Sequence, residues 1–147
     1  MALLNSSGTH LRQTMSEREY DLGAAELEVL KALWDEGPAT VREVLNHLHT
    51  RGRHVAYTTV LTTLSRLEQK GFVTSDKSGL AYVYRAKVTR QRFSRSRVKA
   101  LVRQLYDGAA GPVVLELIRT EQLTSDEIGE LHRLIERLDS KSARKRT

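Results

Sequence analysis

Residues 56–71 read AYTTVLTTLSRLEQKG, a helical spacing of apolar residues interrupted by four threonines within positions 58–63. Threonine is a weak helix former because its branched Cβ loses rotamer freedom against the preceding turn. Projected on a helix, Tyr57, Val60, Leu61, Leu64 and Leu67 share one face, while Thr58, Thr59, Thr62, Ser65, Arg66 and Gln69 cover the other. That second face holds no acid. A solvated helix face usually mixes Glu with Lys or Arg, which are better helix formers and pair at i, i+4. Short hydroxyls instead allow close approach to phosphates and base edges, with the threonine methyl available to thymine. Bound DNA and packing of the apolar face would together offset the weak helix propensity. The plainer alternative is that the threonines cap and pack locally.

On the N-terminal side, GAAELEVLKALWD (residues 23–35) puts Leu27, Leu30 and Trp34 at helical spacing, with Ala24 and Lys31 alongside, and Gly37-Pro38 stops the pattern. A second helix is predicted from TVREVLNHLHTRG, where Thr40 and Glu43 form the reciprocal capping box that satisfies free amides at a helix start. Val41, Val44, Leu45 and Leu48 form its apolar stripe, and Gly52 ends it. On the C-terminal side, FVTSDKSGLAYVYRAKV shows two runs rich in aromatic and β-branched residues around the turn formers Asp76, Ser78 and Gly79, the pattern of a β-hairpin. Three short helices followed by a hairpin is the order of a winged helix, a helix-turn-helix variant with a β-wing.

Charge points to the same segment. Residues 1–50 carry 4 Lys/Arg against 8 Asp/Glu, residues 51–100 carry 12 against 2, and residues 101–147 carry 8 against 8, giving −4, +10 and 0. A basic block of this kind suits a polyanion, whose condensed counterions are released on binding; a solvated basic face is the alternative.

Beyond the hairpin, Val98, Leu101, Val102 and Leu105 recur at helical spacing up to Gly108, Pro112 stands near a further helix start, and Thr124 with Glu127 forms a second capping box. Val113, Val114, Leu117, Ile118, Ile128, Leu131, Leu134, Ile135 and Leu138 are numerous for a segment this short. Helices attached to a small domain already closed by its own core bury such faces best against a second copy, so a dimer interface is predicted at Val98, Leu101, Leu105, Val114, Leu117, Ile118, Ile128, Leu131, Ile135 and Leu138. Packing back onto the winged helix as one monomeric domain is the alternative. The expected organisation is a flexible tail over 1–20, a winged helix over 21–89, a helical dimerisation region over 90–139 and a basic tail over 140–147. The fold class is mainly α with a small β-hairpin.

Several function classes are excluded or disfavoured. With 39% hydrophobic residues, no apolar run of membrane-span length and no cysteine, the chain reads as a cytoplasmic protein without disulfides, thiolate metal site or membrane insertion. The first twenty residues lack the apolar core of a secretory signal. No GxSxG, phosphate-cradling glycine loop or HExxH is present, so no enzyme and no cofactor are expected. His47 and His49 are two apart and point about 200° away from each other on a helix, which keeps them from sharing a metal ion.

The runs LGAAELEVLKALW, AYTTVLTTLSRLEQKGFV, GLAYVYRA and VLELI with LTSDEIGELHRLIERL, in this order from about Asp21 to Leu138, resemble the penicillinase-repressor family, the BlaI/MecI/CopY group of bacterial transcriptional repressors. The resemblance implies a homodimeric winged-helix repressor on a palindromic operator, with the helix over Tyr57 to Lys70 in the major groove and the hairpin against the backbone. It implies DNA contacts at Thr58, Thr59, Thr62 and Arg66, which Ser65 joins on geometry. Thr40 and Arg42 stand where a helix N-terminus holds a phosphate, and Arg53, His54, Lys77 and Ser78 are further phosphate candidates. Release in relatives implies a membrane sensor protease cutting an Asn-Phe bond, but the matching bond here is Glu116-Leu117. The missing cysteines exclude the thiolate copper sensing of other members, and Leu61 stands where some members place a basic side chain. A winged-helix protein-interaction module and a small-ligand regulator of the MarR type are the alternative functions.

Overall fold

Gly37 adopts φ 78°, a left-handed conformation open to glycine, and ends the first helix, α1 (Ala24–Glu36). The structure, a computed structural model, describes residues 22–146; the tail expected over 1–20 lies outside the described residues. A two-residue strand β1 (Ala39–Thr40) leads into α2 (Val41–Thr50), where Thr40 Oγ1 accepts from the Glu43 amide at 3.2 Å and the Glu43 carboxylate accepts from the Thr40 amide at 3.2 Å, as the capping box requires. The threonine-rich stretch forms α3 (Tyr57–Gln69), followed by β2 (Val73–Asp76) and β3 (Val83–Ala86). The hairpin is part of a three-stranded antiparallel sheet in the order β1-β3-β2, with Ala39 opposite Tyr84 and Ser75 opposite Tyr84 on its other side. Two residues are too few to show alternation, which is why β1 leaves no trace in the sequence.

The core is shared by α1, α2, α3 and the sheet. Val41, Val44, Leu45 and Leu48 are buried as the stripe predicts. On α1 the buried positions are Val29, Leu30, Ala32 and Leu33, whereas Leu27 and Trp34 are half-buried. The expected stripe is shifted there because α1 packs against α2, α3 and β3 together. On α3, Val60, Leu64 and Leu67 are buried with Thr63, while Tyr57 and Leu61 are exposed, against the expected apolar face. Thr63 tolerates burial because its hydroxyl donates to the Thr59 carbonyl at 2.7 Å.

Three helices follow: α4 (Arg90–Tyr106), α5 (Ala110–Thr120) and α6 (Ser125–Arg146). The start of α4 is fixed to the winged helix by aromatic packing, with ring centroids of Phe93 5.5 Å from Trp34 and 6.1 Å from Phe72, and by the Trp34 indole donating to the Val88 carbonyl at 2.8 Å. Thr124 and Glu127 form the second capping box, with bonds of 2.9 and 3.1 Å. α6 continues through the stretch expected as a basic tail to Arg146. That stretch has no Gly or Pro, and its cations favour a helix C-terminus. The chain divides into two compact units between Leu101 and Val102. No described residue from Leu101 to Lys145 is buried.

Candidate nucleic-acid interface

The site is organised along α3. Thr58, Thr62, Ser65 and Arg66 are exposed on its outward side, and the helix starts at Ala56 without a side-chain cap, leaving its first amides open to an anion. The weak propensity of the stretch is met partly inside the helix. Thr62 Oγ1 donates to the Thr58 carbonyl at 2.8 Å and Ser65 Oγ to the Leu61 carbonyl at 3.0 Å. The local role considered for the threonines is thus present, and it commits these hydroxyl protons while leaving oxygen lone pairs and the Thr62 methyl facing out. Thr59 is set apart from this strip: it lines a cavity of about 220 Å³ with Glu28, Val29, Leu48, Arg53 and Val55.

The other candidate residues group at the two ends of α3. At its start, the Arg42 guanidinium lies 5.0 Å from the centroid of the Tyr57 ring, joining the first turns of α2 and α3. Thr40 is half-buried and occupied as the α2 cap. Arg53 and His54 are exposed just before α3; Arg53 lies 3.8 Å from Glu28 and the His54 ring 5.5 Å from that of His49. At the other end, Lys77 of the wing lies 3.8 Å from Glu68 and 5.6 Å from the Tyr82 ring, tying the hairpin to α3. The Ser78 amide and hydroxyl both donate to Asp76, at 2.9 and 2.6 Å, so Ser78 shapes the wing turn. These bonds hold the exposed Asp76 carboxyl below the ordinary aspartate range.

Part of the basic block is neutralised in space by acids of α1. Lys70 pairs with Glu26 at 2.7 Å, and Asp35 takes both Arg90 at 2.5 Å and Arg51 at 3.2 Å, with His47 at 3.3 Å. The same His47 meets Glu36 at 2.7 Å, so this histidine is engaged with carboxylates, and no group of three or more such side chains among the described residues is placed to hold a metal ion. Arg66, on the outward side of α3, has no carboxylate within ion-pair distance among the described residues, and the same holds for Lys87, Arg92, Arg95 and Lys99. The sequence missed the α1 acids as partners of the middle block, and it missed the exposure of Tyr57 and Leu61.

The Arg90 hydrogen bond, with the Arg51 charge and the His47 contact, holds the Asp35 carboxyl below its ordinary value. A depressed carboxyl contributes stability that is present above its unfolded pKa and lost as pH falls through its folded one. The stability difference between the protein and an Asp35→Asn variant is therefore full at neutral pH and closes below about pH 4 in urea unfolding. A difference that grows with acid would contradict this pairing.

The family model described as penicillinase repressor matches residues 22–137. The penicillinase repressor of Bacillus licheniformis is 29% identical over 112 residues, covering 76% of this chain and 87% of that protein. The methicillin resistance regulatory protein MecI of Mammaliicoccus sciuri is 26% identical over 121 residues, covering 82% and 98%. Among solved structures, the Bacillus licheniformis BlaI monomeric form in complex with the blaP half-operator is 29% identical with a TM-score of 0.42, covering 49% of this chain and 87% of that chain. The resemblance read along residues 21–138 is borne out. With a match across all three helices, the wing and most of the C-terminal segment, the chain belongs to the penicillinase repressor family, whose members are DNA-binding transcriptional repressors with a winged helix and not enzymes.

Proposed function

We propose that the chain is a homodimeric cytoplasmic repressor that binds a palindromic operator through its winged helix, residues 21–89, and pairs through residues 90–139. The observation that carries this reading is the outward face of α3, which has no acid and on which Arg66 has no carboxylate partner among the described residues. Arg66 is suited to the two acceptors of guanine, Thr58 to a neighbouring base edge or phosphate, Thr62 and Ser65 to donors on base edges, and Arg42, Arg53, His54 and Lys77 to the backbone beside them. Thr59 and Thr40 have supporting roles at the helix starts, and Ser78 sets the wing. No helix among the described residues is long and apolar enough to cross a membrane.

Pairing is supported by the apolar side chains left in water on the single chain. Val98, Leu101, Leu105, Val114, Leu117, Ile118, Ile128, Ile135 and Leu138 are all exposed, and Leu131 is half-buried. Release by a membrane sensor protease in this region would fall at or near Glu116-Leu117. That bond lies inside α5, where the Leu117 carbonyl accepts from the Glu121 amide at 2.9 Å, so cleavage there requires local opening of the helix. A small-ligand release is the second reading. It is favoured by a cleft of about 560 Å³ whose lining includes Leu27, Trp34, Phe93, Asp35, Arg51 and Arg90, within the usual size of ligand sites.

The test is an anisotropy titration against duplex from upstream of the chain's own gene and a scrambled control, across salt concentrations. The expected preference for the native duplex is about 10³ or more, with affinity falling as salt rises. Arg66→Ala should weaken specific binding about tenfold to a hundredfold without loss of helicity by circular dichroism. Equal weak binding to both duplexes would leave a protein-interaction module as the better reading.

A further inference from the structure

The middle of α3 presents an unusual combination to solvent. Leu61 is 38% exposed, one turn from Thr58 and Ser65, and adjacent to the outward Thr62. A single exposed leucine is ordinary on a protein surface. Here, however, two of its three polar neighbours have directed their protons inward: the Thr62 hydroxyl to the Thr58 carbonyl and the Ser65 hydroxyl to the Leu61 carbonyl. What remains outward is the Leu61 isobutyl group, the Thr62 methyl and the lone pairs of two hydroxyl oxygens. The back-bond also favours one of the two rotamers open to a helical threonine, which sets the direction of the Thr62 methyl. Around Leu61 and Thr62 this strip offers apolar contact and hydrogen-bond acceptance, with the Thr58 hydroxyl as a donor one turn back.

In the major groove the bases differ in what such a strip can use. Guanine shows two acceptors, which meet the outward lone pairs unfavourably. Cytosine shows an amino donor and no methyl. Only an A·T pair offers both an amino donor, on adenine, and a methyl group, on thymine. We infer that Leu61 and Thr62 read the thymine C5-methyl group, so that A·T pairs beneath the middle of α3 are selected in each half-site while Arg66, one turn further on, selects guanine. This rests on the proposed DNA-binding function and specifies which base pairs that function recognises. Leu61 is then a specificity-determining residue through contact with a single methyl group.

The test separates the methyl from the rest of the base. A duplex is first enriched from a random pool by the full-length protein, and each thymine in it is replaced in turn by deoxyuridine, which lacks only the C5-methyl. At one or two positions per half-site the replacement should weaken binding about fourfold, the size expected for one buried methyl group. In Leu61→Ala that loss should vanish, and in Thr62→Ser, which keeps the hydroxyl and deletes the methyl, it should shrink. Leu61→Ala should also bind the deoxyuridine duplex as tightly as the parent protein does. Deoxyuridine without effect at every position, or an undiminished effect in both variants, would overturn the inference while leaving the repressor reading intact. A selection that enriches no sequence would remove the repressor reading itself, and this inference with it.

Discussion

Replacing Ile135 and Leu138 together by aspartate is expected to give a folded monomer whose affinity for a duplex with two half-sites drops by roughly 10²-fold or more, while affinity for a single half-site stays unchanged. Both side chains are exposed on the single chain, at 49% and 63%, so the charges do not disturb the protomer's own packing. In a two-fold pair each substitution occurs twice on a self-complementary surface, and burying four unpaired carboxylates against leucine and isoleucine opposes association strongly. Two half-sites about one helical turn apart are read tightly only when their readers are joined. Light scattering reports the mass and anisotropy the two affinities. A variant that remains dimeric would remove this part of α6 from the interface.

Leu64→Ala is expected to have the second large effect, on folding. Leu64 is fully buried beneath the outward face of α3, among Val60, Leu67 and the stripes of α1 and α2. Truncating a buried leucine costs about 2–5 kcal/mol, a sizeable share of the roughly 5–15 kcal/mol that stabilises an ordinary domain. Urea unfolding should show this loss, whereas Leu61→Ala, three residues earlier and exposed, should change stability by no more than about 0.5 kcal/mol. The contrast also tests the orientation of the helix. Comparable losses at both positions would mean that Leu61 packs in the core, as the simple wheel suggests.

How far the fold could be read depended on the strength of each local signal. Both capping boxes and the α2 stripe were legible because each depends on residues three or four apart. The three helices and the hairpin followed from glycine punctuation and a change of period. What escaped was set by partners distant in the chain. Leu61 and Val60 are adjacent and equally apolar, and only the placement of α1 and α2 decides that one is buried and the other exposed. β1 becomes a strand because Tyr84 lies opposite Ala39, a pairing across more than forty residues that no local pattern encodes. The charge block likewise foretold a basic surface, yet Glu26, Glu28 and Asp35 of α1 lie beside Lys70, Arg53, Arg51 and Arg90. That cancellation in space is invisible in a count along the chain, and it leaves Arg66 among the cations without a carboxylate partner in the described residues.

The uncovered leucines and isoleucines of the C-terminal helices also bear on gene dosage. Under the proposed pairing, the active species forms by collision of two chains, so below the dimer dissociation constant its concentration follows the square of the free chain concentration. Halving synthesis then cuts the dimer concentration about fourfold, not twofold, and the occupancy of an unsaturated operator with it. A promoter controlled in this way switches over a narrow interval of repressor copy number, and dilution by cell growth alone can carry it across.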